Sequence, residues 1–170
     1  MTSDVWILDT SCLVEAKLAV SVADQWKAFK LLEDKVRSGE IAMPRHVIRE
    51  ISEIDHPDLP GAWAPGVRDV QLHPLDPSWD CVQRVMAEAG DVVDPNKTKE
   101  DADPYVIALA LHLQGDGLGV SVVTEDCVDR SRIAVTTACD RLSIPHCSTR
   151  EFLNELGIKT KKVGSTEVED

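Results

Sequence analysis

A chain of 170 residues, 43% of them hydrophobic, is long enough for one domain with a real core and too short for two ordinary ones. Its net charge of −12 argues against a protein that coats nucleic acid through a broad basic face, yet it is compatible with a site in which carboxylates gather around cations. Five cysteines (Cys12, Cys81, Cys127, Cys139 and Cys147), an odd number with no Cys-x-x-Cys pair, argue against a disulfide framework or a structural zinc site and for reduced, mostly buried thiols. No apolar run reaches the roughly 18 to 20 residues needed to span a bilayer. The first ten residues, MTSDVWILDT, carry an acid where a secretory signal carries basic residues. The expectation is a cytoplasmic protein with no membrane partner.

The run VWIL at residues 5–8 is short and continuously apolar and ends in Asp9, Thr10 and Ser11, the pattern of a buried parallel strand leaving into a loop. Ligands bind beyond the carboxyl ends of strands in open α/β sheets, so Asp9 reads as a functional acid or as the cap of a following helix. Residues 23–38 show helical spacing through Trp26, Phe29, Leu32 and Val36, and Gly39 follows as a stop. Trp26 and Phe29 share that face with aliphatic residues, which predicts core anchors.

A short strand at residues 41–43 is followed by Pro44 and a helix with Val47, Ile51 and Ile54 on its buried face. Glu50 lies at the edge of that face, about 60° from Val47 at 100° per residue, while Arg49 and Glu53 point toward solvent. Residues 55–77 contain Pro57, Pro60, Pro65, Pro74 and Pro77 with Gly61 and Gly66, and read as irregular. Trp63 is expected to tuck into the core, and His56 and His73 have no partner at metal-ligand spacing. Residues 77–89 return to helical spacing through Trp79, Val82, Val85 and Met86. The polar stretch DVVDPNKTKE, residues 91–100, reads as a loop with Lys97 and Lys99 available to meet a phosphate.

Residues 101–113, DADPYVIALALHL, join an acidic cluster to a segment apolar on every side, and a helix of that kind belongs inside a domain. Asp103 before Pro104 reads as an N-cap at the rim of the core, with Asp101 as a loop acid; a buried negative charge there is costly unless something positive neutralises it. A second Val-rich strand, residues 119–124, follows the turn QGDGLG and ends in Thr124, Glu125 and Asp126. A short helix within residues 130–142, a brief strand at Ile144 and Pro145 and a last helix over residues 149–156 complete a domain of residues 1–157. Residues 158–170 are expected to be disordered or partner-dependent.

Strands alternate with helices, so the economical architecture is a three-layer α/β fold with a central, mainly parallel sheet flanked by helices. Right-handed crossovers bring Asp9 and the cluster at residues 124–126 to one edge, where Glu50 and Asp103 can join them. Four carboxylates in one pocket can all ionise around Mg²⁺ or Mn²⁺, hard cations that favour oxygen ligands. No Ser-His-Asp or Cys-His arrangement competes, and no glycine-rich phosphate loop follows a strand.

At WILDTSCLVEA, MPRHVIREI, DADPYVIALAL and VVTEDC the sequence resembles the PIN domain family of metal-dependent ribonucleases, which includes the VapC-type toxins of toxin–antitoxin systems. GEIAMPRHVIREI with VVTEDC and RLSIPHCS is more narrowly similar to an uncharacterised PIN-like subgroup. The resemblance spans roughly Val5 to Gly157. It implies Asp9, Glu50 and Asp103 as an acidic, metal-holding core, Asp126 as the fourth acid, and Thr124 orienting a ligand or water. Neighbours at a strand end face opposite sides, so only one of Glu125 and Asp126 is expected to face the pocket. The implied activity is that of an endoribonuclease toxin using Mg or Mn, with an RNA substrate, a cognate antitoxin and homodimeric assembly. The alternatives are a non-catalytic PIN-like interaction module and, more distantly, a phosphatase with Asp9 as nucleophile; the second acid of such a loop is missing, because Ser11 stands two residues on.

Overall fold

The computed structural model describes residues 4–53, 57–125 and 132–162. Four parallel strands form its sheet in the order β2-β1-β3-β4: β1 Val5–Leu8, β2 Ile41–Ala42, β3 Val120–Val123 and β4 His146–Cys147. The helices pack in two groups: α1 Thr10–Ala19 packs with α3 Arg45–Ser52, α4 Leu59–Arg68 and α8 Thr149–Glu155, whereas α6 Asp103–Gly115 packs with α5 Trp79–Ala89 and α7 Val135–Arg141. With the sheet between these two groups, the fold is the three-layer α/β arrangement expected. The longest helix, α2 Val22–Arg37, packs on α4 and β2.

Side-chain alternation along β1 serves both faces. Trp6 meets Phe152 of α8 edge-on with ring centroids 5.3 Å apart, while the fully buried Ile7 points to the opposite side. Helix α6 has no polar face between Val106 and Ala110, and all five of those residues are fully enclosed. It runs into β3 through a short turn in which Gly117 adopts a φ of +87°. Because β3 is parallel to β1, this turn puts the C-terminus of α6 at the amino edge of the sheet and its acidic N-terminus at the carboxyl edge. Its other end is tied to α5 by His112, whose Nδ1 accepts from the Ser78 N–H at 2.9 Å.

Three local expectations give way. Trp26 is 75% exposed, although Phe29, Leu32 and Val36 on the same helix are buried as expected. Trp79 and Met86 are exposed as well, while Val82 and Val85 form the buried side of α5. The proline- and glycine-rich stretch is not wholly irregular, since residues 59–68 form α4. Asp58 caps it by accepting from the Gly61 N–H, Pro60 occupies the first turn where no amide partner is needed, and Trp63 anchors it through an Nε1–H bond to the Phe29 carbonyl. Ile54 and His56 lie outside the described residues, and His73 bonds to the Gly39 carbonyl at 2.8 Å. Packing also continues past Gly157: Ile158 is buried, and the Lys161 N–H donates to the Ala19 carbonyl at 2.7 Å. No helix among the described residues is long and apolar enough to cross a membrane.

Two glycines of α4 test this packing in opposite directions. A Cβ on Gly61 would stand 2.7 Å from the Ile51 carbonyl oxygen and 2.9 Å from Pro57 Cβ, whereas one on the exposed Gly66 meets nothing within 4 Å. Gly61→Ala is expected to cost about 1–3 kcal/mol by overpacking, and Gly66→Ala to add about 0.5–1 kcal/mol of helix stability. Urea unfolding midpoints of the two variants check the pair; equal shifts would contradict the close α3–α4 approach.

Candidate functional site at the carboxyl edge of the sheet

Asp9 leaves the end of β1 directly into α1 and is 2% exposed. Its Oδ1 accepts from the Thr10 N–H at 2.7 Å, so it does cap the helix. Its Oδ2 accepts from the Thr124 hydroxyl at 2.7 Å and the Ser11 hydroxyl at 3.0 Å. Capping and a second role thus use different oxygens. The backbone supports the same meeting, because the Asp9 N–H donates to the Val123 carbonyl in the β1–β3 ladder. Ser11 is a participant that the sequence pattern gave no reason to select; its oxygen also accepts from the Glu125 N–H at 3.0 Å.

Glu125 turns away to another task. Its side chain accepts from the Thr149 N–H at 2.6 Å, at the first turn of α8. Asp126, the expected fourth acid, lies outside the described residues, as does Cys127.

The acids around α6 are arranged differently from the expectation. Asp103 is the first residue of the helix and Ala102 its N-cap, so the capping carboxylate is Asp101: its Oδ1 accepts from the Asp103 N–H at 3.2 Å. Asp101 is no simple loop acid. It is 5% exposed, and its Oδ2 accepts from the Asp94 N–H at 3.2 Å. An acid two residues before an Asp-Pro helix start is the signal that could have identified it. Relieved of capping, buried Asp103 places Oδ2 3.3 Å from Arg132 Nη1. Glu50 reaches the same helix end, its Oε2 accepting from the Ala102 N–H at 3.3 Å.

Lys97 joins these acids instead of standing free for a phosphate. Its Nζ is 3.1 Å from Asp101 Oδ1 and 3.6 Å from Glu50 Oε2. Partial burial by itself would lower the Lys97 pKa, but the neighbouring Glu50, Asp101 and Asp103 carboxylates outweigh it and hold the ammonium above the ordinary lysine value. Beside it, His46 stacks on Tyr105 with centroids 3.5 Å apart and planes 5° from parallel, and burial pulls its imidazole pKa down. The thiols nearby are poor nucleophiles: burial drives Cys12 far up, and burial followed by the charges of Asp140 and Asp9 raises Cys139 to about 12.

In kind, the donors suit a hard divalent cation, since Asp9, Glu50 and Asp103 offer carboxylate oxygen and Thr124 a hydroxyl. In position, no three His, Cys, Asp or Glu side chains among the described residues are gathered as a metal-holding group. Positive charge at the α6 end comes from Lys97 and Arg132. The neutralisation of buried acids required by the sequence is therefore met here by side chains of the chain itself.

Thr124→Val removes the hydroxyl from a buried carboxylate and is expected to destabilise the fold by about 1.5–3 kcal/mol, the range for a hydrogen bond to a charged group. Thr98→Val, at an exposed loop position, should stay within about 0.5 kcal/mol. Thermal unfolding of both variants measures the contrast, and equal stabilities would remove Thr124 from the support of Asp9.

Residues 6–160 match a family described as a domain of unknown function, DUF4411, and the chain belongs to that family. No curated protein matches it.

Proposed function

We propose that this DUF4411 chain is a Mg²⁺- or Mn²⁺-dependent endoribonuclease that hydrolyses phosphodiester bonds of RNA. The supporting observation is that acids from distant parts of the chain lie toward one end of the fold: Asp9, which accepts from Thr124 beyond β1 and β3, and Glu50, which accepts from the Ala102 N–H beside Asp103 at the start of α6. Carboxyl edges of parallel sheets are where such folds bind ligands, and carboxylates buried there serve stability poorly unless they are neutralised.

In this reading Asp9, Glu50 and Asp103 would hold the cation, with Asp126 the further acid implied by the resemblance. A bound divalent ion supplies the charge that lets these acids ionise together and stabilises a phosphodiester under attack by water. The chain's own groups orient the acids. Thr124 and Ser11 fix Asp9 Oδ2, the Ala102 N–H fixes Glu50, and Arg132 holds Asp103. Arg49 and Lys99 line a groove beside Glu50 and offer charge to RNA backbone phosphates. The toxin role, with a cognate antitoxin and a homodimer, belongs to the same reading; the exposed Leu18, Val22 and Trp26 on α1 and α2 supply apolar surface for a protein partner.

A second reading, a non-catalytic interaction module, is favoured by the ion pairs that Lys97 and Arg132 already make with the acids. A cleavage assay on a mixed RNA pool separates the two. The nuclease reading predicts cutting in Mg²⁺ or Mn²⁺ and none in EDTA, with Asp9→Asn and Asp103→Asn slowed by roughly 100-fold or more, the scale of losing a group that stabilises the transition state. Undiminished cutting by both folded variants would overturn the site. Absence of cutting, together with a melting temperature that divalent ions leave unchanged, would favour the module.

A further inference from the structure

Four of the seven large hydrophobic side chains exposed among the described residues, Val14, Leu18, Val22 and Trp26, lie on α1 and α2. Gln25 holds the two helices in one corner, its Nε2–H donating to the Lys17 carbonyl at 3.0 Å. Trp26, one turn beyond Val22, also walls a trough of about 190 Å³ between α2 and α4. We propose that this face is where two copies of the chain meet, Trp26 of each inserting into the α2–α4 trough of the other about a two-fold axis. The inference rests on the homodimer of the proposed function and gives it an interface; it draws on neither the acids nor the RNA.

The trough is shaped for a side chain. Small-molecule sites enclose about 300–1,000 Å³, more than this one holds. Its aromatic wall is already fixed: Phe29 and Trp63 meet edge-on with centroids 5.3 Å apart, and the Trp63 Nε1–H donates to the Phe29 carbonyl at 3.0 Å. With that donor satisfied, the trough offers apolar contact, and Leu59 and Ala62 extend it along α4. A second trough, of about 590 Å³, separates the other side of α2 from residues 157–159. The helix therefore stands as a ridge between two grooves, the relief on which helices pack.

Charge selects a second copy as the occupant. At a net charge of −12 two chains repel over most of their surface, so self-association needs a face on which charge cancels. Helix α2 is such a face. It carries three acids, Asp24, Glu33 and Asp34, against four lysines and arginines, and Glu33 already pairs with Lys30 at 3.4 Å and with Arg37 at 3.0 Å. A strongly basic partner is drawn instead to the acidic remainder of the surface. Symmetry completes the fit: knob and hole lie side by side on one surface, so the rotation that seats one Trp26 seats the other, and each contact is made twice.

Sedimentation velocity of the full chain over a concentration series, beside Trp26→Glu, Ala62→Glu and Trp79→Glu variants, tests the interface. The natural chain should dimerise reversibly. Trp26→Glu removes the knob and Ala62→Glu puts a carboxylate at the trough; both positions are exposed, so the circular dichroism of each variant should match that of the natural chain. Each should weaken self-association by about 30-fold or more, the scale of losing a dominant interface residue, whereas Trp79→Glu, at an exposed position on α5, should stay within about twofold. A dimer that survives both folded variants, or that Trp79→Glu disrupts equally, overturns the interface and leaves the homodimer standing. A natural chain that stays monomeric at every concentration overturns both, whether or not it cuts RNA.

Discussion

Helix α6 has no face that water can accept, and much of the architecture follows from enclosing it. The sheet covers one side and α5 and α7 the other, with Val106 through Ala110 sealed from solvent. Each large aliphatic side chain buried this way contributes about 1.5–3 kcal/mol relative to exposure, so the helix cannot be moved outward to relieve its polar end. That end carries Asp101 and Asp103 into a nearly dry rim. A buried carboxylate demands donors and positive charge. Lys97, Arg132 and the amides of Asp94 and Asp103 answer that demand, and Glu50 is drawn to the remaining helix-terminal N–H of Ala102.

Asp9 meets the same demand through backbone and hydroxyl donors. Its two oxygens divide the work, one capping α1 and the other accepting two hydroxyls, and the second of these comes from the neighbouring strand end. Parallel pairing of β1 with β3 is what makes that meeting possible: Leu8 and Val123 are partners in register, so the residues that follow them emerge side by side. Stability and the proposed chemistry thus draw on the same contacts. Groups that hold the acids still are those that would present them to a cation and a phosphodiester.

Sequence periodicity made the apolar α6, the strand ends at Asp9 and Thr124 and the inward edge of Glu50 legible, because each is a local pattern of apolar and polar residues. It gave the cap to Asp103 and left Asp101 a loop acid, the reverse of what the fold shows. Either can cap an Asp-Pro helix start, and the choice depends on which amide turns toward which carboxylate, a matter of backbone geometry with no trace in composition. Lys97 read as a lysine available to a phosphate and Arg132 had no reading, so neither pairing with an acid was visible. Charged residues in loops read as solvated, and only the folded chain shows them opposite buried acids. Trp26 illustrates the converse error: shared spacing with Phe29 and Leu32 implied burial, but the width of the apolar stripe is set by the neighbouring helix, not by the helix itself. Gly- and Pro-rich composition concealed α4, whose start is nevertheless marked by Asp58 and Pro60.

The central claim is that the acids beyond β1 and at the start of α6 form one cation site. Anomalous diffraction from crystals of the full chain soaked in Mn²⁺ tests it most directly. The account predicts a manganese peak within coordinating distance of carboxylate oxygens of Asp9 and Asp103. Well-ordered crystals with manganese only at surface carboxylates elsewhere would contradict it.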